Sequence, residues 1–137
     1  MNSQPRPQEA LIRDFVEQRV WAVVGVSEDP RKFGHIIFLN LRAAGYQVYG
    51  VNPKGGCADG ESLYPCLAAL PEPPAVVDLV VPPPAATQVV QEMHRLGLHR
   101  AWLQPGAESD EAIAFCHAHG IDVIHGACAM VHRRKWR

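Results

Sequence analysis

The sequence predicts an α/β fold: a single domain with a five-stranded parallel sheet and helices on both faces. Three observations carry this. Short runs of apolar, β-branched residues recur without polar alternation, the pattern of strands covered on both sides. Segments with apolar residues at helical spacing lie between those runs. Prolines, 12 of the 137 residues, fall at or beside the ends of these segments, as they must when they can enter neither a helix interior nor a central strand.

In chain order, Asn2 to Pro7 reads as frayed. Glu9 to Gln18 places Leu11, Ile12, Phe15 and Val16 at helical spacing and forms a leading helix. Val20 to Val26 is the first strand. After a charged loop from Glu28 to Lys32, the stripe Ile36, Ile37, Leu39, Asn40, Leu41, Ala44 predicts a helix stopped by Gly45. Val48 to Val51 is the second strand. A loop follows to Leu63, and Tyr64 to Leu70 reads as a brief helix before the linker Pro71 to Ala75. Val76 to Val81 is the third strand, ended by Pro82, Pro83 and Pro84. Ala85 to Leu96 is a helix closed by Gly97, and Ala101 to Leu103 the fourth strand. Ser109 opens a helix with an acidic first turn, Asp110 and Glu111, which suits the helix dipole. It runs to His119, and Ile121 to Ile124 is the fifth strand. Parallel neighbours need right-handed crossovers, so this order describes a Rossmann-like domain over residues 20–130. Residues 1–19 form the leading segment, and 131–137 read as an exposed basic tail.

Composition narrows the function classes. Thirteen Lys and Arg stand against 14 Asp and Glu, so the electrostatic footprint of a phosphate-backbone binder is missing and nucleic acid is not expected as a partner. The polar start MNSQPRPQEALIRDF has no apolar signal region, and no apolar run reaches the roughly 18 residues of a membrane span. A cytosolic location without membrane contact is the expectation. The four cysteines, Cys57, Cys66, Cys116 and Cys128, form no C-x-x-C pair and read as reduced thiols.

In such a sheet a ligand binds outside the carboxyl ends of the strands, where strand order reverses. The residues there are Gly25, Val26 and Ser27 after the first strand, Asn52, Pro53 and Lys54 after the second, Val81 and Pro82 at the third, and Gln104, Pro105 and Gly106 after the fourth. Glycine at 25 admits a close approach to the backbone, and Ser27 at the start of a helix offers donors to a phosphate. Arg31, Lys32 and Lys54 add positive charge. The first turn departs from the dinucleotide fingerprint G-x-G-x-x-G: Ser27 replaces the second glycine, and the third is displaced to Gly34. Lys54 stands where a nicotinamide dinucleotide requires a carboxylate. A ligand carrying extra phosphate is favoured.

The stretches WAVVGVSEDPRKFGHIIFLNLRAAGYQVYGVNPK, VVDLVVPPPAA and AWLQPGAESDEAIAFCHAHGIDVI, with Cys128 near the end, resemble the small stand-alone CoA-binding proteins. Those are related to the nucleotide-binding domain of the succinyl-CoA synthetase alpha subunit. The resemblance covers about Val20 to Met130. It implies coenzyme A or an acyl-CoA, its nucleotide part at Gly25, Val26 and Ser27, with Arg31 and Lys32 near the phosphates. Asn52, Pro53 and Lys54 would flank the adenosine end, and Val81, Pro82, Gln104, Pro105 and Gly106 would line the pantetheine path. The synthetase's phosphohistidine belongs to a second domain with no counterpart here.

No catalytic constellation is expected. His117 and His119 are two apart and cannot make an i, i+4 metal pair, and Ser27 lacks the G-x-S-x-G context of a nucleophile elbow. No metal cluster stands out. Cys128 reads as a packed free thiol before it reads as a partner for the CoA sulfur. The expectation is a non-catalytic CoA-binding or regulatory module. The alternatives are a nicotinamide-dinucleotide oxidoreductase or CoA-transferring subunit working with a partner, and a homodimeric interaction module that binds a protein through its basic tail.

Overall fold

The computed structural model describes residues 6–136. In chain order the elements are α1 (Gln8–Val16), β1 (Val20–Val24), α2 (Phe33–Ala43), β2 (Gln47–Val51), β3 (Cys57–Ala58) and β4 (Glu61–Ser62). A single 3-10 turn (Leu67–Ala69) leads to β5 (Val76–Leu79), α3 (Pro83–Leu96), β6 (Arg100–Leu103), α4 (Asp110–Ala118), β7 (Asp122–His125) and α5 (Ala129–His132). The main sheet runs β2-β1-β5-β6-β7 with every neighbour parallel. This is the five-stranded Rossmann-like architecture the apolar runs predict.

Strand periodicity divides the core into two layers, because successive side chains leave opposite faces of a strand. Trp21, Val23, Val76, Trp102 and Ile124 face one way and meet Leu11 and Phe15 of α1 and Ile37, Phe38 and Leu41 of α2. Ala22, Val24, Val77, Leu79, Ala101 and Leu103 face the other way onto Ala86, Val90 and Met93 of α3 and Ala112 and Cys116 of α4. From β1 the chain steps outward to β2, then returns to the other side of β1 and proceeds through β5, β6 and β7. With right-handed crossovers this reversal puts α2 on one face and α3 and α4 on the other, and it opens a crevice between the carboxyl ends of β1 and β5.

Several local expectations change. The Pro-rich stop after the third strand is also a helix start: Pro83 and Pro84 occupy the first positions of α3, where a missing N–H costs nothing. The helix expected over Tyr64 to Leu70 is only the 3-10 turn, and the loop before it holds the β3–β4 hairpin. Of the stretch expected to fray, residues 2–5 lie outside the described residues, whereas Arg6 pairs with Asp122 at 2.7 Å and with Asp14 at 3.6 Å. Asp14 in turn holds Arg100 of β6 at 2.8 Å, fixing α1 to the sheet.

The tail also differs. The side chains of His132, Arg134 and Lys135 are exposed, but the segment is docked. The Trp136 amide donates to the Ala44 carbonyl at 2.7 Å, and its ring meets Tyr46 edge to face at 5.7 Å with the Arg134 guanidinium 4.1 Å above it. Aromatic area outweighs the charge of the neighbouring residues here.

Among the described residues one carboxylic acid is buried in the core. Asp78 lies between Val23 and Trp102 in the middle of the sheet, completely buried, and neither carboxyl oxygen has a hydrogen-bond partner among the described residues. Burial pushes its pKa well above the usual carboxylate value.

Candidate functional site

The site is built on close backbone packing. Gly25 leaves β1 with φ +104°, and its amide and that of Val26 both donate to the Val51 carbonyl at 2.9 and 3.2 Å. A Cβ at position 25 would lie 2.1 Å from the Val80 carbonyl oxygen, and one at position 34 would lie 2.0 Å from the Gly25 carbonyl oxygen. Only glycine fits at either place. Gly34 thus does the work of the displaced third glycine, letting the first turn of α2 press against the end of β1.

The turn between them is held by side chains. The Val26 carbonyl accepts a hydrogen bond from Asn52 Nδ2 at 2.9 Å, and the Ser27 carbonyl accepts one from His35 Nδ1 at 2.6 Å. A carbonyl can only accept, so His35 carries its proton on Nδ1. Ser27 Oγ accepts the Asp29 amide at 3.0 Å. The amides of Ser27 and Glu28 donate to no acceptor among the described residues. They stand beside the N-terminus of α2, whose first-turn N–H groups are oriented the same way as its dipole.

Asn52 also organises the second strand end. Its Oδ1 accepts the Lys54 amide at 2.9 Å and its carbonyl accepts the Gly55 amide at 2.8 Å, with Pro53 at the second place of the turn. The two strand ends are pinned together again by Glu28, whose Oε2 accepts the Cys57 amide at 2.9 Å.

The cations are not equivalent. Arg31 is mostly exposed and engaged by Asp29 at 3.0 Å; its hydrogen bonds hold the Asp29 carboxyl below the usual carboxylate range. Lys32 caps α2 and Lys54 tips the β2 turn, and neither side chain makes an ion pair among the described residues. Of the three, the lysines are the more available to a phosphate.

Beside the turn, Val81, Pro82, Pro105 and Gly106 line an open groove of about 380 Å³ together with Val80 and Ala107. Gly25 joins the two regions, since a Cβ there would come within 3.1 Å of Val81 Cγ1. Gln104 corrects the expectation that placed it on this path. Its side chain is fully buried beneath α5, where Oε1 accepts the Ala129 amide at 2.8 Å and Nε2 lies 3.3 Å from Cys128 Sγ. Val26 likewise departs from the expectation: its side chain is fully buried in the layer of α1 and α2, and its amide and carbonyl are both bonded within the turn. The remaining eleven expected residues gather at one rim, in two adjoining parts.

The family model described as "CoA binding domain" matches residues 19–134. The chain belongs to the CoA binding domain family. The resemblance read from the sequence therefore holds. Similar proteins are of two kinds. The uncharacterised protein YneT of Bacillus subtilis is 26% identical over 126 residues, covering 91% of this chain and 93% of YneT. A hypothetical protein from Pyrococcus horikoshii OT3 of known structure superposes with a TM-score of 0.86 at 28% identity, covering 96% of this chain and 95% of that one. The other kind is larger. The ADP-forming acetate–CoA ligase I of Archaeoglobus fulgidus is 28% identical over 120 residues, 80% of this chain but 18% of the ligase. The chain thus spans under a fifth of that relative's length.

For a member of the CoA binding domain family, the sequence overlooked two contributors. His35 sits among Gly34, Ile37 and Phe38, all buried, and is itself 6% exposed; a polar residue inside an apolar helical stripe must find a partner, which is the signal that could have found it. Glu28 lay in a charged loop and carried no periodic signal. No group of three or more His, Cys, Asp or Glu stands together as a metal cluster among the described residues, and no helix there is long and apolar enough to cross a membrane.

Proposed function

We propose that this chain holds coenzyme A or an acyl-CoA at the carboxyl ends of its strands and acts as a binding or regulatory module. The observation that carries this is the pair of amides at Ser27 and Glu28, without acceptors among the described residues and set at the N-terminus of α2 beside two lysines that make no ion pair there. That is an anion-binding arrangement. The CoA diphosphate would lie over it, with Lys32 and Lys54 supplying charge. Asn52, Pro53 and Lys54 would flank the adenosine end, and the pantetheine arm would follow the groove between Val81, Pro82, Pro105 and Gly106. Membership of the CoA binding domain family and the similarity to CoA ligases support the ligand.

A non-catalytic role is supported by how the polar groups are spent. Ser27 Oγ accepts the Asp29 amide, and His35 faces the Ser27 carbonyl through Nδ1, so that nitrogen is not poised to activate the Ser27 hydroxyl. The thiol or thioester chemistry belongs to CoA itself. Isothermal titration with CoA, acetyl-CoA and NADPH tests the ligand. Saturable binding of CoA or acetyl-CoA is expected, with NADPH much weaker. Native mass spectrometry of freshly purified protein should show the mass of a retained CoA. No heat with either CoA species would defeat the reading, and NADPH binding with hydride transfer would replace it.

A further inference from the structure

We infer that His35 is the positioning residue of this site, a latch that aims the Ser27 and Glu28 amides at the ligand phosphate. The inference rests on the CoA reading above. In a trans peptide the carbonyl and the following N–H point in opposite directions. Asn52 draws the Val26 carbonyl to one side, which turns the Ser27 amide to the other. His35 draws the Ser27 carbonyl inward from its buried place in the first turn of α2, which turns the Glu28 amide outward. Two consecutive donors are thereby presented together, and neither finds an acceptor among the described residues. The two carboxylates of this turn are engaged elsewhere, Glu28 by the Cys57 amide at 2.9 Å and Asp29 by the Arg31 guanidinium at 3.0 Å. Asn52 does this work in addition to shaping its own turn, whereas His35 makes no other hydrogen bond among the described residues.

The test compares His35→Phe, which keeps a ring of similar size without a donor, with His35→Asn, whose Nδ2 can sit where the histidine Nδ1 sits. CoA affinity is measured by titration calorimetry on the full chain, and the amide resonances of Ser27 and Glu28 are followed by NMR. His35→Phe should weaken CoA about tenfold, the scale of one lost hydrogen bond. His35→Asn should stay within about threefold of the parent, and the two amide resonances should move in the Phe variant but not in the Asn variant. A purely structural histidine would instead lower the melting temperature of both variants without separating their affinities. Unchanged affinity in His35→Phe, or equal loss in both variants, would overturn the inference. Should His35→Phe not fold, His35→Leu takes its place with the same expected outcome. If the parent chain itself fails to bind CoA, the CoA reading falls, and the amide resonances of the free protein still decide the latch: no movement in the apolar variant overturns it.

Discussion

Replacing Asp78 by asparagine should flatten the pH dependence of stability in a window that opens above the ordinary carboxyl value. The side chain is fully buried between Val23 and Trp102 with both oxygens unpartnered, so burial favours the protonated form and raises the pKa well above normal. In the unfolded chain the same carboxyl ionises near pH 3.9. Between that value and the raised native one, the folded state binds the proton and the unfolded state does not. Stability is then fully present below the unfolded pKa and is lost as pH rises, at about 1.4 kcal/mol per pH unit for one proton. Above the native pKa the loss levels off. Asparagine keeps the shape and cannot ionise. The difference in unfolding free energy between Asp78→Asn and the parent should therefore be small near pH 4 and grow in favour of the variant along that slope. Urea titrations followed by far-ultraviolet circular dichroism at intervals between pH 4 and pH 8 measure it. Ion-paired carboxylates such as Asp14 and Asp29 respond in the opposite sense in acid, but they are common to both proteins and cancel. A difference that stays constant across the range would refute the reasoning, because it would mean that Asp78 titrates alike in the folded and unfolded chains.

Three further outcomes are expected. Lys54→Ala should weaken CoA about threefold to tenfold and reduce the salt dependence of binding, while Arg31→Ala should do less because Asp29 already engages that guanidinium; titration calorimetry at two ionic strengths separates them, and equal losses would contradict the assignment. Gly34→Ala must push a Cβ into the Gly25 carbonyl 2.0 Å away, both partners being backbone, so a loss at the upper end of the roughly 1–3 kcal/mol typical of overpacking is expected in a urea titration. Trp136→Ala removes the edge-to-face contact with Tyr46 and the stacked Arg134 and should cost about 2 kcal/mol; an unchanged urea midpoint would return the segment to the exposed tail the sequence alone describes.

The reach of the sequence can be judged residue by residue. The parallel sheet was readable because its strands are short apolar runs bounded by proline and glycine, and no other layer arrangement buries both faces of such runs. The hairpin of Cys57–Ala58 and Glu61–Ser62 was not, since two-residue strands carry no period. The helix α3 begins two residues before its expected start because proline signals both a strand end and a helix first turn. At the rim, the strand-end rule located Gly25, Ser27, Asn52 and Val81 directly. It failed for Gln104, although strand alternation held the answer: two residues beyond Trp102, its side chain leaves the same face and goes under α5. His35 was missed because a helical stripe was read for its apolar members. That Asp78 lacks a partner depends on every neighbour around it, and no local pattern encodes that.

The division of the core into two layers has a spectroscopic consequence. All three tryptophans belong to the layer formed by α1, α2 and α5: Trp21 lies 5.9 Å from Trp102 and 5.3 Å from Tyr46, and Tyr46 lies 5.7 Å from Trp136, ring centre to ring centre. The α3 and α4 layer contains none. Intrinsic tryptophan emission from this protein is therefore a one-sided signal, with energy passing from Tyr46 into a single chain of rings. Events at the start of α2 reach that chain through Phe38 and Leu41, whereas rearrangements between α3 and α4 leave it dark.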